Sequence, residues 1–193
     1  MRLTIPATSL LAIFALSVCA ISAQQPATPS PMPTGLARVA LGARQRYDNI
    51  KRDIADSADA VPESEYSFKP TPQVRSFGEL IGHVADVNAW YCGMANGENP
   101  SWSDKTEKTA RSKADLVKAL KAATARCDEV IAKTTADNAL SLVPAGQRDQ
   151  MRIMVILDNV AHLNEHYGNI VTYMRQKGHV PPSTLREQRG SGQ

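Results

Sequence analysis

Gln150 to Lys177, QMRIMVILDNVAHLNEHYGNIVTYMRQK, is the longest helical stretch in the chain, and its reading decides the fold. Ile156, Val160, Leu163 and Ile170 recur at helical steps, which stacks them on one face. Gly178 supplies a C-terminal stop, and Pro181-Pro182 is expected to bar resumption. His162 and His166 flank the apolar stripe, four residues apart. That is about one turn, so both imidazoles leave the same face and can reach one ion. Such a pair also arises on ordinary solvated faces and does not by itself make a metal site.

Working outward, three more helices have the same period. The first runs from about Leu36 to Ala60, with Leu36, Ala40, Ala43, Tyr47, Ile50 and Ile54 on one face, and Pro62 stops it. The second opens at Ser76-Phe77-Gly78-Glu79, the pattern of a capping box, and runs to about Ala95, where Asn96-Gly97 breaks it. The third opens at Ser112, carries Leu116, Leu120, Ala123, Cys127 and Val130 on one side, and fades near Lys133. No strand pattern competes strongly. Four helices in one small domain argue for an all-α bundle. The connection from Asn96 to Arg111 is long enough to cross it, so helices two and three need not be antiparallel.

His83 gives the histidine pair its weight. It lies mid-helix beside the stripe of Leu80, Val84, Val87, Tyr91 and Met94. Packing the second and fourth helices along their stripes brings His83, His162 and His166 to one edge of the core. Three imidazoles make a ligand set that leaves positions for water or substrate. The plainer alternative is a core histidine that only hydrogen-bonds. Asp86, one turn after His83, is a candidate to orient a ring, as are Asn159 and Asn169 on the His162 face. Glu165 is a candidate general base for a water activated by the ion, with a solvated carboxylate as its alternative. Tyr173, farther along the face of the histidine pair, is a candidate to close the site or donate a proton. Core packing accounts for it equally well. Trp90, on the His83 face, is a candidate pocket wall with core packing as the plainer alternative, and His179, in the loop after Gly178, reads as solvated.

Composition excludes several classes. The 193 residues are 42% hydrophobic and 21% charged, which rules out a wholly disordered chain. The net charge of +3 comes without a block of cations, and the charges of Lys105–Lys121 read as a solvated face and loop. Nucleic acid is therefore not an expected partner. Three Cys are too few for a disulfide-knotted miniprotein.

The amino terminus reads as an address. Met1-Arg2 precedes the apolar run Leu10–Ala20, LLAIFALSVCA, which is short for a bilayer span, and Ile21-Ser22-Ala23 offers a cut after Ala23. The expectation is export, to the periplasm or outside the cell. A lipoprotein signal ending at Cys19 is the alternative and would leave a lipid tether. No later run is long and apolar enough for a membrane helix. Residues 24–35, QQPATPSPMPTG, are proline-rich and expected to be an extended linker. The folded domain is then 36–182, and 183–193 is a polar tail expected to fray.

Pro70-Thr71-Pro72-Gln73-Val74-Arg75-Ser76-Phe77-Gly78-Glu79-Leu80-Ile81-Gly82-His83 resembles the entry to helix two in DinB/YfiT-like proteins. His162-Leu163-Asn164-Glu165-His166-Tyr167-Gly168-Asn169-Ile170 resembles their second signature, H-x-x-x-H-x-G-Q-I, with Asn169 where Gln is usual. The run from Tyr173 to Pro182 is similar to that family's helix ending. The resemblance spans 36–182 and implies a four-helix bundle with up-down-down-up connectivity. It also implies a divalent ion on His83, His162 and His166: zinc or nickel first, iron or manganese as further candidates. With helices two and three parallel, as it implies, Cys92 and Cys127 sit at similar height. A disulfide and two buried free thiols both remain open.

Several relatives of this kind are thiol-dependent transferases or isomerases, but an export signal argues against reliance on cytoplasmic thiols. The expected function is a metal-dependent hydrolase of a small, unidentified substrate. A non-catalytic holder of a metal or small ligand is the alternative class, and monomer and homodimer both remain open.

Overall fold

The computed structural model describes residues 35–191. The expected leader with its cut after Ala23, the alternative lipid site at Cys19, and residues 24–34 of the expected linker lie outside them. The described chain forms α1 (Gly35–Ala60), α2 (Phe77–Ala95), a short α3 (Lys105–Thr109), α4 (Lys113–Ala132), a hairpin of β1 (Leu142–Ala145) and β2 (Arg148–Met151), α5 (Arg152–Gln176) and α6 (Pro182–Gly190).

The four long helices are those the sequence period predicts, and their contacts fix the directions. Lys51 meets Asp128 and Lys121 meets Asp59, so α1 and α4 run antiparallel. Gly78 faces Leu116 while Gly93 faces Arg126, so α2 and α4 run parallel. Asn88 meets Asn159, and the Ala95 carbonyl accepts from Arg152 Nη1, so α2 and α5 run antiparallel. This is the up-down-down-up bundle. Its core takes Tyr47, Ile50 and Ile54 from α1, Phe77, Leu80, Ile81 and Val84 from α2, Leu116, Leu120 and Cys127 from α4, and Ile156, Leu163 and Ile170 from α5. The first turns of the α1 stripe are not covered: Leu36 is exposed and Ala40 only half-buried.

The capping box at α2 is complete. Ser76 Oγ accepts from the Glu79 N–H, and Glu79 Oε2 accepts from the Ser76 N–H. Ser112 Oγ caps α4 by accepting from the Asp115 N–H. Cys92 and Cys127 are joined in a disulfide that ties α2 to α4, with Cα atoms 5.2 Å apart.

Three expectations need correction. The chain contains strands, an antiparallel hairpin turning at Gly146-Gln147, with Gly146 at φ 73°. Only Val143 among its residues is buried, so it leaves almost no alternating pattern to read. The tail does not fray across 183–190 but forms α6. Pro182 occupies the first helical turn, where its missing N–H costs nothing and its fixed φ is already helical. Tyr167 then donates to Ser183 Oγ, and Arg186 pairs with Asp53, docking α6 on the bundle. Finally, His179 is not simply solvated, because its Nε2 lies 2.7 Å from Glu65 Oε2.

Candidate metal centre

His83 sits at the middle of α2, seven residues past its Ser76 cap, and His162 and His166 at the middle of α5. The antiparallel packing of these two helices brings the rings together, as their stripe flanks predict. One ring nitrogen of each histidine lies within 4.8 Å of the other two. His162 Nε2 is 2.9 Å from His166 Nε2 and 3.4 Å from His83 Nε2. Two nitrogens on one tetrahedral zinc-like ion lie about 3.3 Å apart, so these spacings are compatible with a shared cation. His83 and His166 are buried, and His162 is half-buried.

The donors are in the right protonation state. Burial pushes the His83 and His162 imidazoles below their ordinary range, and the nearby Arg75 cation pushes the same way. His166 falls to about 3, first from burial and then from the neighbouring His162, His83 and Arg75. All three are therefore neutral at pH 7, with lone pairs to offer. Among the described residues no Cys, Asp or Glu joins the three at the same range. The set fits a divalent cation with three nitrogen ligands and open positions.

The orienting residue is Glu107, which lies in the stretch expected to be a solvated face and loop. Its Oε2 lies 2.9 Å from His83 Nδ1 and its Oε1 accepts from Arg75 Nε at 2.8 Å. The carboxylate fixes the proton on Nδ1 and turns Nε2, bare, toward the other two rings. Glu107 belongs to α3, and α3 is hung from α2. Asp86 accepts from the Thr106 and Glu107 backbone N–H groups at 3.1 and 3.0 Å. Asp86 therefore orients His83 at one remove, by holding the helix that delivers Glu107. Gly82 permits the approach: a Cβ there would lie 2.8 Å from Glu107 Cα, closer than packed atoms stand.

A cleft of about 610 Å³ opens beside the centre. His166, Glu107, Arg75, Lys69, Glu165 and Tyr173 are on its wall. Glu165 is exposed. Tyr173 is buried, and its hydroxyl donates to the Arg75 carbonyl at 3.0 Å, so its proton is committed to holding that turn. Asn169 also lines the cleft. Asn159 does not reach a histidine: it is buried against Asn88 Oδ1 at 2.9 Å, beside the disulfide. Trp102, half-exposed, stands near His83, with its ring centroid 5.9 Å from the imidazole and 5.7 Å from Trp90. Trp90 is held by its Nε1, which donates to the Pro100 carbonyl. No helix among the described residues is long and apolar enough to cross a membrane.

Comparison with known proteins gives a consistent result. The DinB superfamily profile matches residues 46–183. The uncharacterized protein YjoA of Bacillus subtilis is 24% identical over 135 residues, which cover 69% of this chain and 86% of that protein. A DinB-like protein from Bacillus cereus superposes with a TM-score of 0.63 at 15% identity, covering 74% of this chain and 95% of that one. A conserved protein from Enterococcus faecalis gives 0.58 at 14% identity, covering 71% and 95%. At these identities the structural likeness concerns the fold.

Proposed function

Because the chain belongs to the DinB superfamily, we propose that it is an exported metal-dependent hydrolase of a small substrate, with a divalent ion, zinc or nickel first, held by His83, His162 and His166. The observation that carries this reading is the convergence of three neutral imidazole nitrogens, one of them from His166 on the wall of a cleft, with no fourth protein ligand at the same range among the described residues. A bound divalent ion would supply Lewis acidity to an oxygen at the open edge.

The chain's own residues do the rest. Glu107 and Asp86 hold His83 in one tautomer and one orientation. Tyr173 pins the Arg75 turn that forms one wall of the cleft. Glu165 faces the same cleft and has no ion pair among the described residues, which leaves its carboxylate free to accept a proton from a nucleophile. Export is supported by the apolar leader at Leu10–Ala20 and by the Cys92–Cys127 disulfide, a bond that persists in oxidising compartments.

The test is metal analysis of protein purified without chelators, paired with a screen of esters, amides and phosphoesters. One ion per chain and turnover that disappears on chelation and returns with metal are expected. An ion that binds stoichiometrically with no turnover on any substrate would make the chain a metal holder.

A further inference from the structure

The substrate class of this cleft follows from the one guanidinium on its wall. Arg75 ends the stiff segment Lys69-Pro70-Thr71-Pro72-Gln73-Val74-Arg75, immediately before the α2 cap. Its backbone is pinned by Tyr173 and its Nε by Glu107. The outer nitrogens, Nη1 and Nη2, have no hydrogen bond among the described residues, and the side chain is 41% exposed on the cleft. Of the other charges on that wall, Lys69, Glu79 and Glu107 are paired, and the Glu165 carboxylate has no ion pair among the described residues. Lys69 pairs with Glu79 at 2.9 Å, and Glu79 closes the cap of α2. Glu107 is shared between Arg75 and His83.

A guanidinium held at its inner edge presents a rigid pair of N–H donors, which match the two oxygens of a carboxylate or phosphate. A volume of about 610 Å³ is that of a small-molecule site. We propose that the cleft takes a small molecule bearing an oxyanion group, carboxylate or phosphate, gripped by the outer nitrogens of Arg75 while the remainder lies against His166. This rests on the cleft being the substrate site of the proposed metal centre, and it adds the chemistry that selects the substrate.

The experiment titrates the full chain, wild type and variants, with benzoate, phenyl phosphate and the neutral benzamide, by calorimetry, with and without zinc. Without zinc, the anions should bind wild type roughly tenfold or more tighter than benzamide, the difference made by one charge-assisted pair. The tighter anion identifies the group. Arg75→Gln should erase the preference and Arg75→Lys restore part of it, with helicity checked by circular dichroism. Equal binding of benzamide and both anions to the wild type overturns the proposal, a comparison that needs no variant to fold. So does an anion preference that survives in Arg75→Gln. Zinc stoichiometry on the same samples separates the two ideas. Zinc bound without anion preference sinks only the oxyanion site, whereas an Arg75-dependent preference in a chain that binds no zinc sinks only the metal centre.

Discussion

The two halves of the histidine cluster are built differently. The α5 half is local: His162 and His166 are one turn apart on a single helix, and their spacing needs nothing but the helical repeat. The α2 half is assembled from distant parts. His83 is set by Glu107, 24 residues away, on a short α3 that hangs from Asp86 and fits only because position 82 lacks a side chain. A local pair tolerates change elsewhere in the fold, whereas an assembled one fails at several remote positions. The comparison can therefore be broken at the ligands, at the strut behind them, or at the cradle.

The largest effect is expected at the ligands themselves. His83→Ala, His162→Ala and His166→Ala should each weaken metal binding by on the order of a thousandfold, so that elemental analysis finds no stoichiometric ion. The helical content should survive, because the apolar stripes alone build the bundle. If one variant kept a full complement of metal, that ring would not be a ligand.

Next in size is the strut. The Cys92–Cys127 bond closes a separation of 35 residues between α2 and α4, a loop whose removal costs about 3–4 kcal/mol in the chain-entropy account. A Cys92→Ser, Cys127→Ser double variant should lose about 6–15 °C in Tm. Metal affinity should change by less than about twofold, since Cys92 lies about 13 Å along α2 from His83. A large loss of affinity in the reduced chain would mean that the disulfide, and not α3, positions the α2 half.

The cradle comes third. Glu107→Gln removes the charge that fixes His83 and should cost about 10–100-fold in metal affinity with little change in stability. Gly82→Ala should cost metal affinity as well, by pushing α3 outward, and it should also lower stability, because its Cβ would meet the Glu107 backbone at 2.8 Å and Leu116 at 3.1 Å. Among the described residues, no such carboxylate stands behind the α5 pair to be disturbed. A zinc titration followed by the emission of Trp102, which stands 5.9 Å from the His83 ring, reads both variants. Unchanged affinity in Glu107→Gln would leave the α2 half as self-sufficient as the α5 half.

The same division explains what was legible in the sequence. The four long helices, both serine caps and the three histidines follow from periods of three and four residues, which are written locally. Glu107 was not legible, because nothing in Lys105-Thr106-Glu107-Lys108 distinguishes it from any charged loop. Its role exists only once Asp86 has turned α3 over Gly82. Asp86 stands out in the sequence, one turn from His83, but the contact it makes is to backbone, not to a ring. The hairpin and α6 escaped for a related reason. Each has a single well-buried residue, Val143 and Pro182, and both are held by partners far along the chain.

The smallest expected effect concerns protons. All three imidazoles are held below the ordinary histidine range by burial, His166 to about 3. An unfolded chain binds protons on these groups from about pH 6.5 downward, while the folded, metal-free protein does not. Folded-state values that are depressed in this way make stability fall as pH drops below about 6.5, and the loss continues toward pH 3. Metal-free wild type should therefore lose a few degrees of Tm between pH 7 and pH 5, before most carboxylates titrate. His166→Gln, lacking the most strongly depressed group, should show a shallower slope over that interval. His162→Gln should flatten it less, because that ring is only half-buried and Glu165 partly offsets the shift. Equal slopes for wild type and His166→Gln would mean that His166 is accessible to protons in the folded chain. The α5 pair would then owe its neutrality to solvent pH and not to its place in the bundle.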